Sequence, residues 1–264
     1  MNNRPIGIFD SGVGGLTVLK EVAELLPAEN ILYLGDTARV PYGVRSPETV
    51  IRYSFECAEF LLRQNIKLLV VACNTVSAIS LHKIREAVSI PVIGVIEPGA
   101  AAAVNATKNK RIGIIGTEAT IKSSSYVKAI KALDKDVEVS GLPCPLFVPL
   151  VEEGWTEGTI ARLIAERYLK DIMDREVDTI VLGCTHYPLL KGVIQGVMND
   201  VRLVDSAIET AKAVKNALSE KRMNREAGAA SERKFYVTDS TEKFVSVGER
   251  FLQQKIKDIE KIEL

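Results

Sequence analysis

The sequence predicts an α/β fold built from two similar parallel-sheet domains with a site in the cleft between them, and three observations point there. Short β-branched runs alternate with longer stretches of helical periodicity. The runs are continuously apolar rather than alternating, as parallel strands covered on both faces must be. Two of them also recur, in order, further along the chain.

The strand candidates are Ile6–Phe9, Ile31–Leu34, Leu68–Ala72, Val92–Val95, Ile112–Ile115, Thr179–Leu182 and Phe235–Thr238. Between them, Pro47–Arg63 sets Ile51, Phe55, Ala58 and Leu62 at helical spacing with charges opposite. Pro47 suits its first turn and Ser46 its N-cap. Thr156–Arg175 and the run from Ala207 to about Arg222 read the same way. Lys221–Lys234 is the loose stretch, with Gly228-Ala229-Ala230-Ser231 expected as a loop rather than a domain boundary.

The recurrence carries more information. Ile6-Gly7-Ile8-Phe9-Asp10-Ser11 resembles Ile112-Gly113-Ile114-Ile115-Gly116-Thr117. Leu69-Val70-Val71-Ala72-Cys73-Asn74-Thr75 resembles Ile180-Val181-Leu182-Gly183-Cys184-Thr185-His186. The offsets, Ile6 to Ile112 and Leu69 to Ile180, are 106 and 111 residues. Two ordered matches at nearly one offset predict two related halves, each with a cysteine directly after a strand. Open α/β sheets bind ligands at the carboxyl ends of their strands, beside helix N-termini that favour a thiolate. Facing halves would therefore present Cys73 and Cys184 to opposite sides of one cleft.

Composition narrows the classes of function. Of the 264 residues, 47% are apolar and 26% charged, which supports a packed core and argues against disorder. The 34 basic residues equal the 34 acidic ones, so the broad attraction that nucleic-acid binders use is missing and a small molecule is the expected partner. Met1-Asn2-Asn3-Arg4-Pro5 leads into an apolar stretch too short for an export signal, and no run approaches a membrane span. A cytoplasmic protein with no membrane partner is expected. Its cysteines, Cys57, Cys73, Cys144 and Cys184, should stay reduced, and without C-x-x-C pairs they predict no zinc site.

Asp10-Ser11-Gly12-Val13-Gly14-Gly15 ends the first strand. It matches neither the dinucleotide fingerprint nor the Walker loop, but its glycines allow close backbone approach and could offer N–H groups to an anion. Asp36-Thr37-Ala38-Arg39-Val40-Pro41-Tyr42-Gly43 reads by composition as a surface turn. A lone cysteine near a strand end is usually a small buried hydrophobe, but here both halves follow it with hydrogen-bonding residues. His186 could be a core histidine, a metal ligand or an acid–base partner. Cys57, inside a helix, and Cys144, between two prolines, read as structural.

These segments, with Ser77-Ala78, Phe147–Gly154 and Gly183–Leu190, resemble glutamate racemases of the aspartate/glutamate racemase superfamily. The likeness runs through roughly the first 190 residues and, after Asp205, is mainly one of length and helical character. It implies one domain of residues 1–97 with 207–264, the C-terminal segment returning, and a second of 98–206. It implies Cys73 and Cys184 as two bases, Cys73 for D-glutamate and Cys184 for L-glutamate, assisted by Asp10, Glu152 and His186. Asp10, Ser11, Tyr42, Gly43, Asn74, Thr75, Thr185 and His186 correspond to the positions that hold substrate. Glu152 is preferred to the adjoining Glu153 on the alignment of Leu150-Val151-Glu152. The likeness further implies no cofactor, no metal and a role in supplying D-glutamate for peptidoglycan; the expected assembly is a homodimer.

Racemisation removes the α-hydrogen from one face and returns a proton to the other, so two bases on opposite sides suit it. A free thiol of pKa about 8.5 is only ~3% thiolate at pH 7, so one cysteine needs a helix N-terminus or a neighbouring cation to ionise it. Asp10 would push the other way and is expected to accept protons or orient substrate. Without pyridoxal phosphate, hydroxyl and amide donors such as Ser11, Asn74, Thr75 and Thr185 must stabilise the enolate-like charge. Three rivals remain at this level. An aspartate racemase would keep the cysteines, although relatives of that type tend to carry an acidic residue where His186 stands. A non-catalytic amino-acid-binding protein would need neither thiol. A pyridoxal-phosphate racemase would need a Schiff-base lysine.

Overall fold

A computed structural model describes residues 3–226, 228 and 230–264. Met1, Asn2, Ala227 and Ala229 lie outside the described residues, and with them part of the N-terminal reading and of the predicted loop. The strands are β1 (Ile6–Asp10), β2 (Ile31–Gly35), β3 (Leu68–Val71), β4 (Val92–Gly94), β5 (Arg111–Gly116), β6 (Glu138–Pro143), β7 (Thr179–Gly183), β8 (Arg202–Asp205), β9 (Arg233–Val237) and β10 (Ile259–Lys261). The helices are α1 (Leu16–Leu25), α2 (Pro47–Arg63), α3 (Asn74–Ile79), α4 (Leu81–Ala87), α5 (Ile96–Ala106) and α6 (Glu118–Lys122). They continue with α7 (Ser125–Leu133), α8 (Phe147–Glu152), α9 (Gly158–Met173), α10 (Lys191–Val197), α11 (Ser206–Glu220) and α12 (Thr241–Leu252).

Two parallel sheets result, ordered β10-β9-β2-β1-β3-β4 and β6-β5-β7-β8. The second order repeats the first four strands, β2-β1-β3-β4, with every number raised by four. The internal echo is therefore a repeat of topology as well as of sequence: β1 corresponds to β5 and β3 to β7. The late strands β9 and β10 extend the first sheet beyond β2, so the chain returns there after completing the second.

The apolar runs have the expected cause. In β3, Leu68 and Val70 join one buried cluster while Leu69 and Val71 join another on the opposite face. The first cluster passes through α1, α5 and α11 to Ile112, Ile114 and Val181 of the second sheet, which gives the two sheets a shared helical layer. Full burial of a Leu or Val side chain contributes about 1.5–3 kcal/mol, so this shared layer is a major tie between the halves. Among the described residues no helix is long and apolar enough to cross a membrane.

Several local expectations need correction. Helix α2 starts at Pro47 with Ser46 Oγ accepting from the Thr49 N–H at 3.3 Å, as predicted, but its buried face is turned by about one residue. Val50, Ser54, Cys57, Ala58 and Leu61 are buried there, while Ile51, Phe55 and Leu62 are only half-buried. The loose stretch ends before Lys234, because β9 begins at Arg233. Asp36–Gly43 is a surface turn only in its middle: Ala38, Val40 and Pro41 are exposed, but Asp36 is fully buried and Tyr42 is 1% exposed. The Tyr42 hydroxyl donates to Asp36, Arg39 Nε donates to the same carboxylate at 2.6 Å, and Thr238 Oγ1 donates to it at 2.9 Å. A surface turn would leave that carboxylate in water; here three donors replace the water.

Candidate active site

The carboxyl ends of β1, β3, β5 and β7, the two middle strands of each four-strand repeat, converge on one cavity of about 180 Å³. Drug-sized sites run to ~300–1,000 Å³, so this one suits a single compact metabolite. Cys73, Asn74 and Thr75 follow β3, Cys184, Thr185 and His186 follow β7, and all six line the cavity. Ser11 from the β1 loop, Tyr42 and Gly43 from the Asp36–Gly43 turn, and Glu152 from the end of α8 complete the predicted set on its wall. Asp10 does not reach the wall. It stands one layer behind, 1% exposed.

The β1 loop folds around its own carboxylate. Asp10 Oδ2 accepts the Gly12 N–H at 2.9 Å and the Gly15 N–H also favours the carboxylate, so two of the glycine amides expected to meet a ligand anion serve Asp10 instead. Thr185 Oγ1 donates to Asp10 Oδ1 at 3.4 Å, and Tyr33, deep in β2, donates to the Gly12 carbonyl at 2.8 Å. None of these loop glycines needs a left-handed backbone; Gly14 is required for proximity instead. A side chain there would collide with Thr185 and the His186 ring. Burial raises the Asp10 pKa, against the charge of His186 and the loop N–H bonds.

The two thiols sit in unlike settings. Cys73 is 6% exposed and caps α3, with its Sγ donating to Ser11 Oγ at 3.6 Å. Burial, with the charge of Asp10 second, pushes its pKa up to about 12, although the Val76 N–H and Ser11 pull the other way. The N-terminus of the six-residue α3 pulls the thiol in the expected direction through the Val76 N–H, but burial outweighs it. Cys184, also 6% exposed, precedes a 3₁₀ turn at Tyr187–Leu190 rather than an α-helix. Its Sγ lies 3.8 Å from His186 Nδ1, and His186 Nε2 lies 3.1 Å from Glu152 Oε1. Burial disfavours the imidazolium, but the bonds to Cys184 and Glu152 prevail and hold the His186 pKa at about 10. The same bond, working against burial, lowers the Glu152 pKa. It is Glu152, not Glu153, that reaches the histidine.

The rest of the wall is neutral and polar. Asn74, 2% exposed, accepts from the Tyr126 hydroxyl at 2.7 Å through Oδ1. That leaves its Nδ2 without a partner among the described residues, a buried donor that a ligand oxygen would satisfy. Thr75 Oγ1 lies 3.0 Å from Thr117 Oγ1 and 3.4 Å from Thr120 Oγ1. Thr117 lines the cavity and was not among the predicted site residues. The signal was present, since Thr117 occupies the place of Ser11 in the echo. Gly43 lets this wall close, because a side chain there would press on Thr117 at 3.0 Å. Among the described residues, no lysine or arginine lines the cavity, and no group of three His, Cys, Asp or Glu is set to hold a metal ion. All four cysteines are free; Cys57 and Cys144 are buried away from the cavity wall.

A pair of reduced thiols across one small cavity, each at a strand end of a repeated α/β half, defines a class that comparison with known proteins makes definite. The Asp/Glu/Hydantoin racemase family matches residues 6–214, and the chain belongs to that family as an isomerase. Within it, the chain is similar to the glutamate racemases. It is 54% identical over 262 residues to the glutamate racemase of Geobacter metallireducens, covering 99% of this chain and 97% of that one. The crystal structure of glutamate racemase isoform RacE1 from Bacillus anthracis superposes with a TM-score of 0.96 at 41% identity, covering 100% and 99% of the two chains. That of Francisella tularensis, in complex with D-glutamate, gives 0.94 at 40% identity, covering 100% and 98%.

Proposed function

We propose that the enzyme interconverts L- and D-glutamate by a two-base mechanism, with Cys184 taking the α-proton of L-glutamate and Cys73 that of D-glutamate. The observation that carries this reading is the pair of free thiols on opposing strand ends of one cavity, one beside a His–Glu pair and the other beside Ser11 with Asp10 behind. In the L-to-D direction, Cys184 accepts the α-proton as a thiolate, with the imidazolium of His186 donating to it. The protonated Cys73 then delivers its proton to the other face, and the roles exchange for the reverse reaction. Asn74 Nδ2 and the hydroxyls of Ser11, Thr75, Thr117 and Thr185 hold the carboxylates. Being neutral donors, they can strengthen their bonds as enolate-like charge develops on the α-carboxylate.

The glutamate-racemase relatives, including the Francisella enzyme solved with D-glutamate, support the choice of substrate. The lining supports a reaction without pyridoxal phosphate, because a Schiff base would need a lysine on the wall. We further propose that the lobes divide as residues 1–97 with 207–264 and 98–206, that the enzyme is a cytoplasmic homodimer, and that it supplies D-glutamate for peptidoglycan and so for cell-wall growth and cell shape.

The test is circular dichroism of purified protein with L- or D-glutamate, a chelator present and no cofactor added. The signal of either enantiomer should decay to zero, with aspartate turned over far more slowly. Loss of activity on chelation, or faster turnover of aspartate, contradicts the reading.

A further inference from the structure

Glu152 is held at two points, and only one of them belongs to its own half. Its carboxylate meets His186, while its backbone carbonyl accepts a bond from Arg250 Nη2 of α12, a helix packed on α1 and β10 of the first sheet. Two residues on, Gly154 has φ +81°, and a side chain there would occupy the place of Arg250 Nη1. The residue after Arg250 holds the other member of the pair. Phe251, 2% exposed, meets the His186 ring edge-on, with centroids 5.3 Å apart and planes at 89°. One helix turn of the first lobe thus grips the backbone of the carboxylate and the ring of the histidine, both of which belong to the second lobe.

We infer that Arg250 and Phe251 are positioning residues for the Glu152–His186 pair, so that the first lobe sets the geometry of the base carried by the second. An edge-on aromatic contact fixes the imidazole plane, and a charge-assisted bond to a carbonyl fixes the end of α8. Gly154 is then needed both for its left-handed backbone and for the space it leaves to the guanidinium. The charged groups facing the pair are Cys184 from the end of β7, Asp10 behind the β1 loop, and Lys243 from the first turn of α12. Arg250 acts through position, since its contact is with a carbonyl rather than with any of these.

The inference rests on the two-thiol reading and separates from it by experiment. Arg250→Ala is placed in Cys73→Ala and in Cys184→Ala, and uptake of α-deuterium from heavy water is followed by NMR. Loss of the grip should slow uptake into L-glutamate in the Cys73→Ala background about tenfold, and change uptake into D-glutamate in the Cys184→Ala background by less than about twofold. Arg250→Lys, which keeps a cationic donor, should recover part of the loss. The His186 imidazole, one of only two in the chain, should titrate lower in Arg250→Ala with no substrate present. Equal slowing in both backgrounds would reduce Arg250 to a general latch between lobes, and no slowing would remove it altogether; either overturns the inference. If Cys73→Ala takes up no deuterium even with Arg250 intact, the two-thiol reading fails instead, and the His186 titration still decides the role of Arg250.

Discussion

Cys73 and Cys184 occupy equivalent points of two halves that share strand order and local sequence, yet their neighbours differ in sign. Behind Cys73 stands a buried carboxylate, Asp10, and its direct partner is the hydroxyl of Ser11. Beside Cys184 stands an imidazolium that Glu152 supports from the far side. A duplicated backbone supplies two opposed sulfurs; single residues beside them give each a different charged neighbour. Position after the strand is common to both halves, whereas Asn74-Thr75 in one is Thr185-His186 in the other. The site is therefore asymmetric in its charged neighbours although nearly symmetric in topology.

Among substitutions that keep both thiols, the largest effect that would break or sharpen this comparison comes from removing the supporting ionisable groups. His186→Asn should lower kcat about 10²-fold or more with a smaller change in KM, as loss of acid–base support does, and Asp10→Asn about tenfold. Their signatures should differ by half. In the single-cysteine backgrounds, His186→Asn should slow deuterium uptake into L-glutamate, and Asp10→Asn should act on uptake into D-glutamate. If both act on the same enantiomer, the two settings are not independent.

A smaller effect should appear in stability against pH. The folded-state pKa of His186 is raised from 6.5 to about 10, so its charge stabilises the fold fully below pH 6.5, and that contribution is lost as pH rises through 10. Cys73 also has a raised pKa, from 9.0 to about 12, so the fold loses stability as pH climbs above 9 toward 12, where the unfolded thiol ionises and the buried one does not. Each pH unit over which only one state holds the proton changes the balance by about 1.4 kcal/mol. Calorimetric Tm should decline from neutral pH upward. His186→Asn should flatten the lower part of that decline and Cys73→Ala only the part above pH 9. A Tm profile unchanged by His186→Asn would mean the histidine is not held protonated.

What could be read from the sequence follows from which forces leave a local trace. The central strands were legible because burial on both faces demands unbroken apolar runs. The missed strands β6, β8 and β10 are sheet edges, and their residues, such as Glu138 and Arg202, stay exposed and break the pattern. The register of α2 was off by one because Ser54 and Cys57, small and weakly apolar, take the core face while Phe55 stays half-buried. Within the site, residues beside a strand end were visible as neighbours in the chain. Those that act across the fold were not: Tyr126 reaches Asn74 over 52 residues and Arg250 reaches Glu152 over 98. Asp36 was misread because its compensating donors include Thr238, 202 residues away.

Steady-state rates cannot isolate the two thiols, because L- and D-glutamate have equal free energy in water and kcat/KM must match in both directions. Isotope exchange in single-cysteine variants can. Cys73→Ala and Cys184→Ala should each abolish net racemisation, since the opposite face loses its proton donor or acceptor. The remaining sulfur should still take the hydrogen it faces and return a solvent-derived one to the same side. In heavy water, Cys73→Ala should therefore place deuterium only in L-glutamate and Cys184→Ala only in D-glutamate. Racemisation by either variant at near the parent rate would contradict the two-base account.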